Sequence, residues 1–153
     1  VEGLKMAKLS DEFMSLLYLD LRNERKHMLF YLSNCSSIKG IDAIEYIEMF
    51  ADEAEEEMKH VKEFQDMIVG IGGDLNCTEA HGHEKFEIFT SPNESLKYAL
   101  TMEEEVVDNY VNRIESLDHL NDKVIKKWLE VFYEKQIEKS QGDVDKYKRL
   151  LNY

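Results

Sequence analysis

Proline appears once in the 153 residues, at position 92, and four of the seven glycines stand at positions 40, 70, 72 and 73. A chain this poor in helix breakers favours a few long helices over many short strands and turns. Cysteine is nearly absent too. Cys35 and Cys77 lack the paired spacing of a metal site, so they are assigned packing roles without a disulfide, as suits a reducing compartment. No stretch approaches the ~20 apolar residues of a membrane span, and the opening Val1-Glu2-Gly3 lacks a signal-peptide layout. These absences predict a soluble, cytoplasmic protein with no membrane partner. Basic residues are also scarce, 19 against 32 acidic, for a net charge of −13. That balance excludes a phosphate-gripping surface and hence nucleic acid, and it favours attraction of cations.

What the chain does have is charge in long helical patterns: 33% of residues are charged and 43% hydrophobic. Its length predicts one domain, residues 1–153. The first helix starts with Ser10 as cap and Asp11 and Glu12 in its first turn, where the helix dipole favours acids, and runs to about Asn34. A second runs from near Asp42 through Met67 to the glycines at 70, 72 and 73. Residues 74–90 are polar and aperiodic, much longer than a tight turn requires. They predict a crossover along the length of a bundle, with the second and third helices parallel. Ser91-Pro92-Asn93-Glu94 then supplies a cap, a proline at the first helical position and the glutamate of a capping box. Asn121-Asp122 separates the third helix from the fourth. The expected fold is an all-α four-helix bundle with a long crossover between helices two and three.

Each helix carries an apolar row interrupted at mid-length by a residue able to bind a metal. The rows read Leu17, Leu21, Met28, Tyr31; Phe50, Ala54, Val61, Phe64; Leu96, Ala99, Val106, Tyr110; and Ile125, Leu129, Phe132. The interruptions are Glu24; Glu57 with His60; Glu103; and Gln136. Their spacing matches, since 57 − 24 and 136 − 103 both equal 33. A buried carboxylate is costly, and three converging with an imidazole call for a cation to neutralise them. Glu57 and His60 lie three residues apart on one helix face and can reach one ion. A carboxylate-rich set with one histidine favours iron or manganese, and Glu57 is placed to bridge two ions. Tyr31 shares the face of Glu24 and can hydrogen-bond to a ligand.

These residues resemble the ferritin family, and within it the haem-free ferritins of prokaryotic type more than the bacterioferritin branch. Asn23-Glu24 with Tyr31 resembles the family's first-helix ligand and tyrosine. The run Ala54-Glu55-Glu56-Glu57-Met58-Lys59-His60 is similar to its second helix, and Phe89-Thr90-Ser91-Pro92 through Ala99-Leu100 to Glu103 to the start of its third. Trp128-Leu129-Glu130, Phe132 and Gln136 to Glu138 look like its fourth. The resemblance implies a ferroxidase: a di-iron centre at Glu24, Glu57, His60, Glu103 and Gln136, with Tyr31 beside it, oxidising iron(II) with oxygen or hydrogen peroxide. It also implies iron storage in a hollow homo-oligomer built from dimers, commonly of 24 or 12 subunits.

The chain departs from that family in three places. Gln136 is followed at the third position by Lys139, where many relatives carry glutamate or histidine, so the second iron is expected to be short of a ligand. An accessory iron position drawn from Glu56, Lys135, Glu138 and Lys139 holds two lysines and is expected to be weak or absent. The short fifth helix of typical 24-subunit relatives is not expected here, which leaves the assembly number open. Met58 stands where bacterioferritins place a haem-ligating methionine, but haem is not expected. Two other readings use the same residues: a rubrerythrin-like di-iron peroxidase or oxidase without storage, and a non-catalytic metal-sequestering subunit.

Overall fold

The structure is a computed structural model and describes residues 9–153; the Val1-Glu2-Gly3 opening lies outside them. Four long helices account for most of it: α1 Asp11–Ser37, α2 Ala43–Gly70, α3 Pro92–Ser116 and α4 Lys123–Leu150. Two short 3-10 turns, Thr78–Ala80 and Leu117–His119, complete the elements, and no strand occurs among the described residues. None of the described helices is long and apolar enough to cross a membrane. The chain forms two compact units, Val1–Pro92 and Asn93–Tyr153.

In the first unit α1 and α2 form an antiparallel hairpin. Residues rising along α1 meet residues falling along α2: His60 lies beside Glu24, the Tyr31 ring packs edge-on against Phe50, and Cys35 Sγ donates to the Ile47 carbonyl. Ser10 caps α1 by accepting from the Phe13 N–H at 3.2 Å, as its position before Asp11 and Glu12 predicts. α1 outlasts its expected end near Asn34 by three residues. At the end of α2, Gly72 takes φ +98°, a left-handed conformation that costs glycine nothing. Gly73 N–H then returns to the Ile68 carbonyl at 2.8 Å. A side chain at Gly73 would strike Ile68, its Cβ lying 2.5 Å from Cγ2.

The segment after Gly73 runs back along α1, as its length predicts. Asp74 N–H donates to the Tyr18 hydroxyl, the Arg22 and Arg25 guanidiniums hold the carbonyls of Glu79 and Ala80, and the Lys39 N–H donates to the Thr90 carbonyl. Increasing residue numbers in the segment meet increasing numbers in α1. The chain therefore arrives at Pro92 beside the end of the hairpin where α2 begins. Asn34 is the fully buried anchor of this strap. Its amide donates to the Phe30 and Glu87 carbonyls, and its oxygen accepts from the Phe89 N–H at 2.8 Å.

The second unit is the α3 and α4 pair. Tyr110 meets Tyr133 edge-on at 5.1 Å, Lys148 reaches Glu104, and Lys126 reaches Asp118, again an antiparallel succession. Asp122 caps α4 by accepting from the Val124 and Ile125 N–H groups. α3 stops at Ser116, short of the Asn121 boundary, and the 3-10 turn takes up the difference.

Two apolar rows need correction. Met28 is only partly buried, and the inward positions beyond Glu24 are His27, Phe30 and Tyr31. Phe132 likewise yields to Tyr133, which is fully buried and continues the row Ile125, Leu129, Tyr133, Gln136. Successive residues differ by about 100° around a helix, so an aromatic neighbour one position along can take the inward place.

Replacing Asn34 with alanine takes this partner from the Glu87 carbonyl and the Phe89 N–H. The expected loss is about 1–2 kcal/mol in urea unfolding, with faster proteolysis confined to residues 81–90.

Candidate metal centre

The core of the first hairpin is not apolar throughout. Glu24, His27, Glu53, Glu57 and His60 are all buried, at 3, 2, 6, 2 and 9% exposure. They interrupt rows otherwise made of Leu17, Leu21, Phe30, Tyr31, Phe50, Val61 and Phe64, so packing on both sides of the interruption holds them inside. His60 Nδ1 lies 3.3 Å from Glu57 Oε2 and 3.8 Å from Glu24 Oε2. Glu24, Glu57 and His60 each offer a ligand atom, and these lie within 4.8 Å of one another. Two further residues come as close to Glu57: His27 and Glu53 each present a ligand atom within 4.8 Å of one of its oxygens.

Electrostatics show what these groups do to one another. Burial pushes the Glu24 carboxyl well above its usual range, and the charge and hydrogen bond of Glu57 push it further. His27 and then His60 pull it back without cancelling the rise. Two acids packed this closely share a proton unless a cation takes its place. The donor set, two to three carboxylates with imidazole nitrogen, suits iron(II) or manganese(II).

In the second unit Glu103 is fully buried and Gln136 is 4% exposed, each in the inward row of its own helix. Lys139 does not stand free at its third position after Gln136. Its ammonium donates to both oxygens of Asp143, at 3.0 and 2.8 Å, one turn further along α4. Asp143 itself is buried, and Lys139 remains about a third exposed. Of the accessory residues, Glu56 is half-buried and pairs with Lys59 at 3.2 Å. Tyr31 is fully buried with its ring against Phe30 and Phe50. Met58 points outward at 59% exposure. Cys35 and Cys77 are free thiols.

Sequence reasoning missed His27, Glu53 and Asp143. A signal for the first was present: 60 − 27 equals 33, the same step as from Glu24 to Glu57, so that glutamate-x-x-histidine occurs on both helices. Glu53 lies one turn before Glu57 and was hidden in a run of acids. Asp143 looks like a surface residue until its partner Lys139 is placed.

A family model for the ferritin-like domain matches residues 14–147. The chain belongs to that family. The match runs across both compact units, and the fold is the all-α, ferritin-like four-helix bundle. Among solved structures, a ferritin-like diiron-carboxylate protein from Bacillus anthracis is similar at TM-score 0.81 and 25% identity, over 94% of this chain and 99% of that one. Mycobacterium tuberculosis bacterioferritin BfrA follows at TM-score 0.80 and 18% identity, covering 95% and 87%. Rhodobacter capsulatus bacterioferritin gives 0.75 and 20%, covering 95% and 87%. At those identities the bacterioferritins speak to the fold alone. No curated protein matched the sequence.

The raised Glu24 carboxyl sets a pH dependence. An acid whose folded pKa exceeds its unfolded value contributes most below the unfolded value, and that contribution is lost as pH rises through the folded one. The metal-free protein is therefore expected to lose thermal stability between the ordinary glutamate range and the raised Glu24 value. A divalent cation displaces the shared proton, so manganese(II) should raise the melting temperature more at about pH 7.5 than at about pH 5. Calorimetry with and without the ion checks both signs.

Proposed function

We propose that this protein is a ferroxidase that oxidises iron(II) and stores the ferric product inside a hollow homo-oligomer. Glu24, Glu57, His60, Glu103 and Gln136 are the proposed ligands for a pair of iron ions, with Glu57 the bridge and Tyr31 a neighbour able to hydrogen-bond to a ligand. The buried Glu24, Glu57, His60 cluster carries this reading, in a chain of the ferritin-like family.

Iron(II) is the substrate here, and each ion surrenders one electron. A pair reduces dioxygen to hydrogen peroxide with two protons, or hydrogen peroxide to two waters with two protons. The contribution of the protein is electrostatic and geometric. Glu24 and Glu57 shed their shared proton as the ions arrive, and the carboxylates then favour the higher charge of iron(III) over iron(II). The His60 nitrogen holds one ion without adding charge. The apolar rows on either side, with Leu17, Leu21, Phe50 and Phe64 fully buried, limit water around the charges and strengthen each interaction. An excess of 13 negative charges draws cations toward the molecule from solution.

Storage requires an enclosing shell. Leu32, Ile44, Ile47 and Met58 are apolar side chains of α1 and α2 left exposed in the single chain, at 53, 66, 36 and 59%. We assign them to a two-fold contact between copies, the building block of the shell. A cytoplasmic location fits this role, and no haem is invoked.

Replacing Glu57 with alanine is expected to abolish rapid iron(II) oxidation, a fall of at least about a hundredfold in initial rate followed by ferric absorbance. Unchanged kinetics would sink the assignment. Light scattering of the unaltered protein at micromolar concentration should report a large hollow oligomer that retains iron after aerobic loading. Rapid oxidation by a small oligomer that keeps no mineral would instead identify a di-iron oxidase without storage.

A further inference from the structure

The first hairpin carries two histidines where the proposed site uses one. His27 follows Glu24 by three residues, as His60 follows Glu57, and both imidazoles are buried, at 2 and 9% exposure. Each offers a nitrogen within 4.8 Å of a Glu57 oxygen. Because α1 and α2 run antiparallel, a step of three residues forward along each helix moves the two rings in opposite directions from the Glu24 and Glu57 pair. At 1.5 Å per residue the two backbone positions are offset by roughly 9 Å along the hairpin axis. Two ions about 4 Å apart, each with a nitrogen about 2.1 Å beyond it, span a similar length.

We propose that His27 is a metal ligand, the nitrogen donor of the second ion, so that Glu57 bridges one ion held by His60 and another held by His27. The inference rests on the proposed di-iron reading and adds a residue to it. In α4, the place that would supply a second histidine three residues after Gln136 is filled by Lys139, whose ammonium is bound to Asp143. A protonated amine cannot ligate. A histidine at position 27 restores a neutral nitrogen donor from the opposite end of the sequence, and Glu53, buried with its carboxylate within 4.8 Å of Glu57, adds a further oxygen donor on the α2 side. Both ions would then be held with comparable strength, in place of the unequal pair that Lys139 alone implies.

Anaerobic cobalt(II) titration of the full chain, followed by calorimetry and the visible spectrum of the bound ion, tests this without turnover. The unaltered protein should bind two ions per chain. His27→Gln should weaken one of them at least tenfold, since even the loss of an outer hydrogen-bond partner costs about ten- to a hundredfold. His60→Gln should weaken the other, and Glu57→Gln both. Two ions bound by His27→Gln as tightly as by the unaltered protein would overturn the role of His27 while leaving the His60 result, and the ferroxidase reading, standing. No cobalt binding by the unaltered protein, or indifference to Glu57→Gln, would remove the parent reading and this one together. If His27→Gln does not fold, anomalous diffraction from zinc-soaked crystals of the unaltered protein decides: an ion about 2.1 Å from a His27 ring nitrogen supports the proposal, and ions that leave His27 uncoordinated overturn it.

Discussion

Everything in the first hairpin is arranged around the cost of burying carboxylates. Glu24 and Glu57 sit in a core otherwise built from leucine, phenylalanine and tyrosine, where an isolated charge is worth several kcal/mol of penalty. Without a cation the pair lowers that cost by sharing a proton, which is why burial and Glu57 drive the Glu24 carboxyl upward. The imidazoles of His27 and His60 pull that carboxyl back only in part. Such a cluster is a poor way to stabilise a fold and a good way to hold divalent ions, because ion binding removes the very term that opposes folding.

The strap over residues 74–90 adds a second set of contacts along α1. It is fastened to α1 at Tyr18, Arg22, Arg25 and Asn34, and to Lys39 just past the end of that helix. Arg22 and Arg25 flank Glu24 in sequence, yet they turn outward to strap carbonyls rather than inward to the carboxylates. Had either guanidinium entered the core, it would have neutralised Glu24 permanently and closed the place a metal would take. The strap thus keeps the cations of α1 occupied on the outside.

Much of this was legible in the sequence. Long helices followed from a single proline, the crossover from the length of residues 74–90, and the first cap from Ser10. Glu24, Glu57, His60, Glu103 and Gln136 each break an apolar row, and their burial follows from the packing of those rows. The failures share one cause. Met28 and Phe132 were placed inward by hydrophobicity, while their neighbours His27 and Tyr133 took the inward positions. A row containing histidine or tyrosine is ambiguous by hydrophobicity alone, because both have apolar bodies and polar tips. Asp143 and Lys139 were equally opaque, since a buried acid looks like a surface residue until its ion pair is seen.

The two hairpins resolve the same design in different ways. In α1 and α2 both glutamates are followed at the third position by histidine, which pulls the Glu24 carboxyl back only in part, so the rest of the burden falls on a proton or a bound ion. In α4 the corresponding places hold a neutral amide, Gln136, and then Lys139 already matched to Asp143. A compensated lysine and aspartate pair adds no net charge to its surroundings and offers no vacant lone pair where the ammonium sits. The buried acids Glu24 and Glu57 of the first hairpin therefore call for a proton or a cation, while the Lys139 and Asp143 pair of the fourth helix settles its own charge.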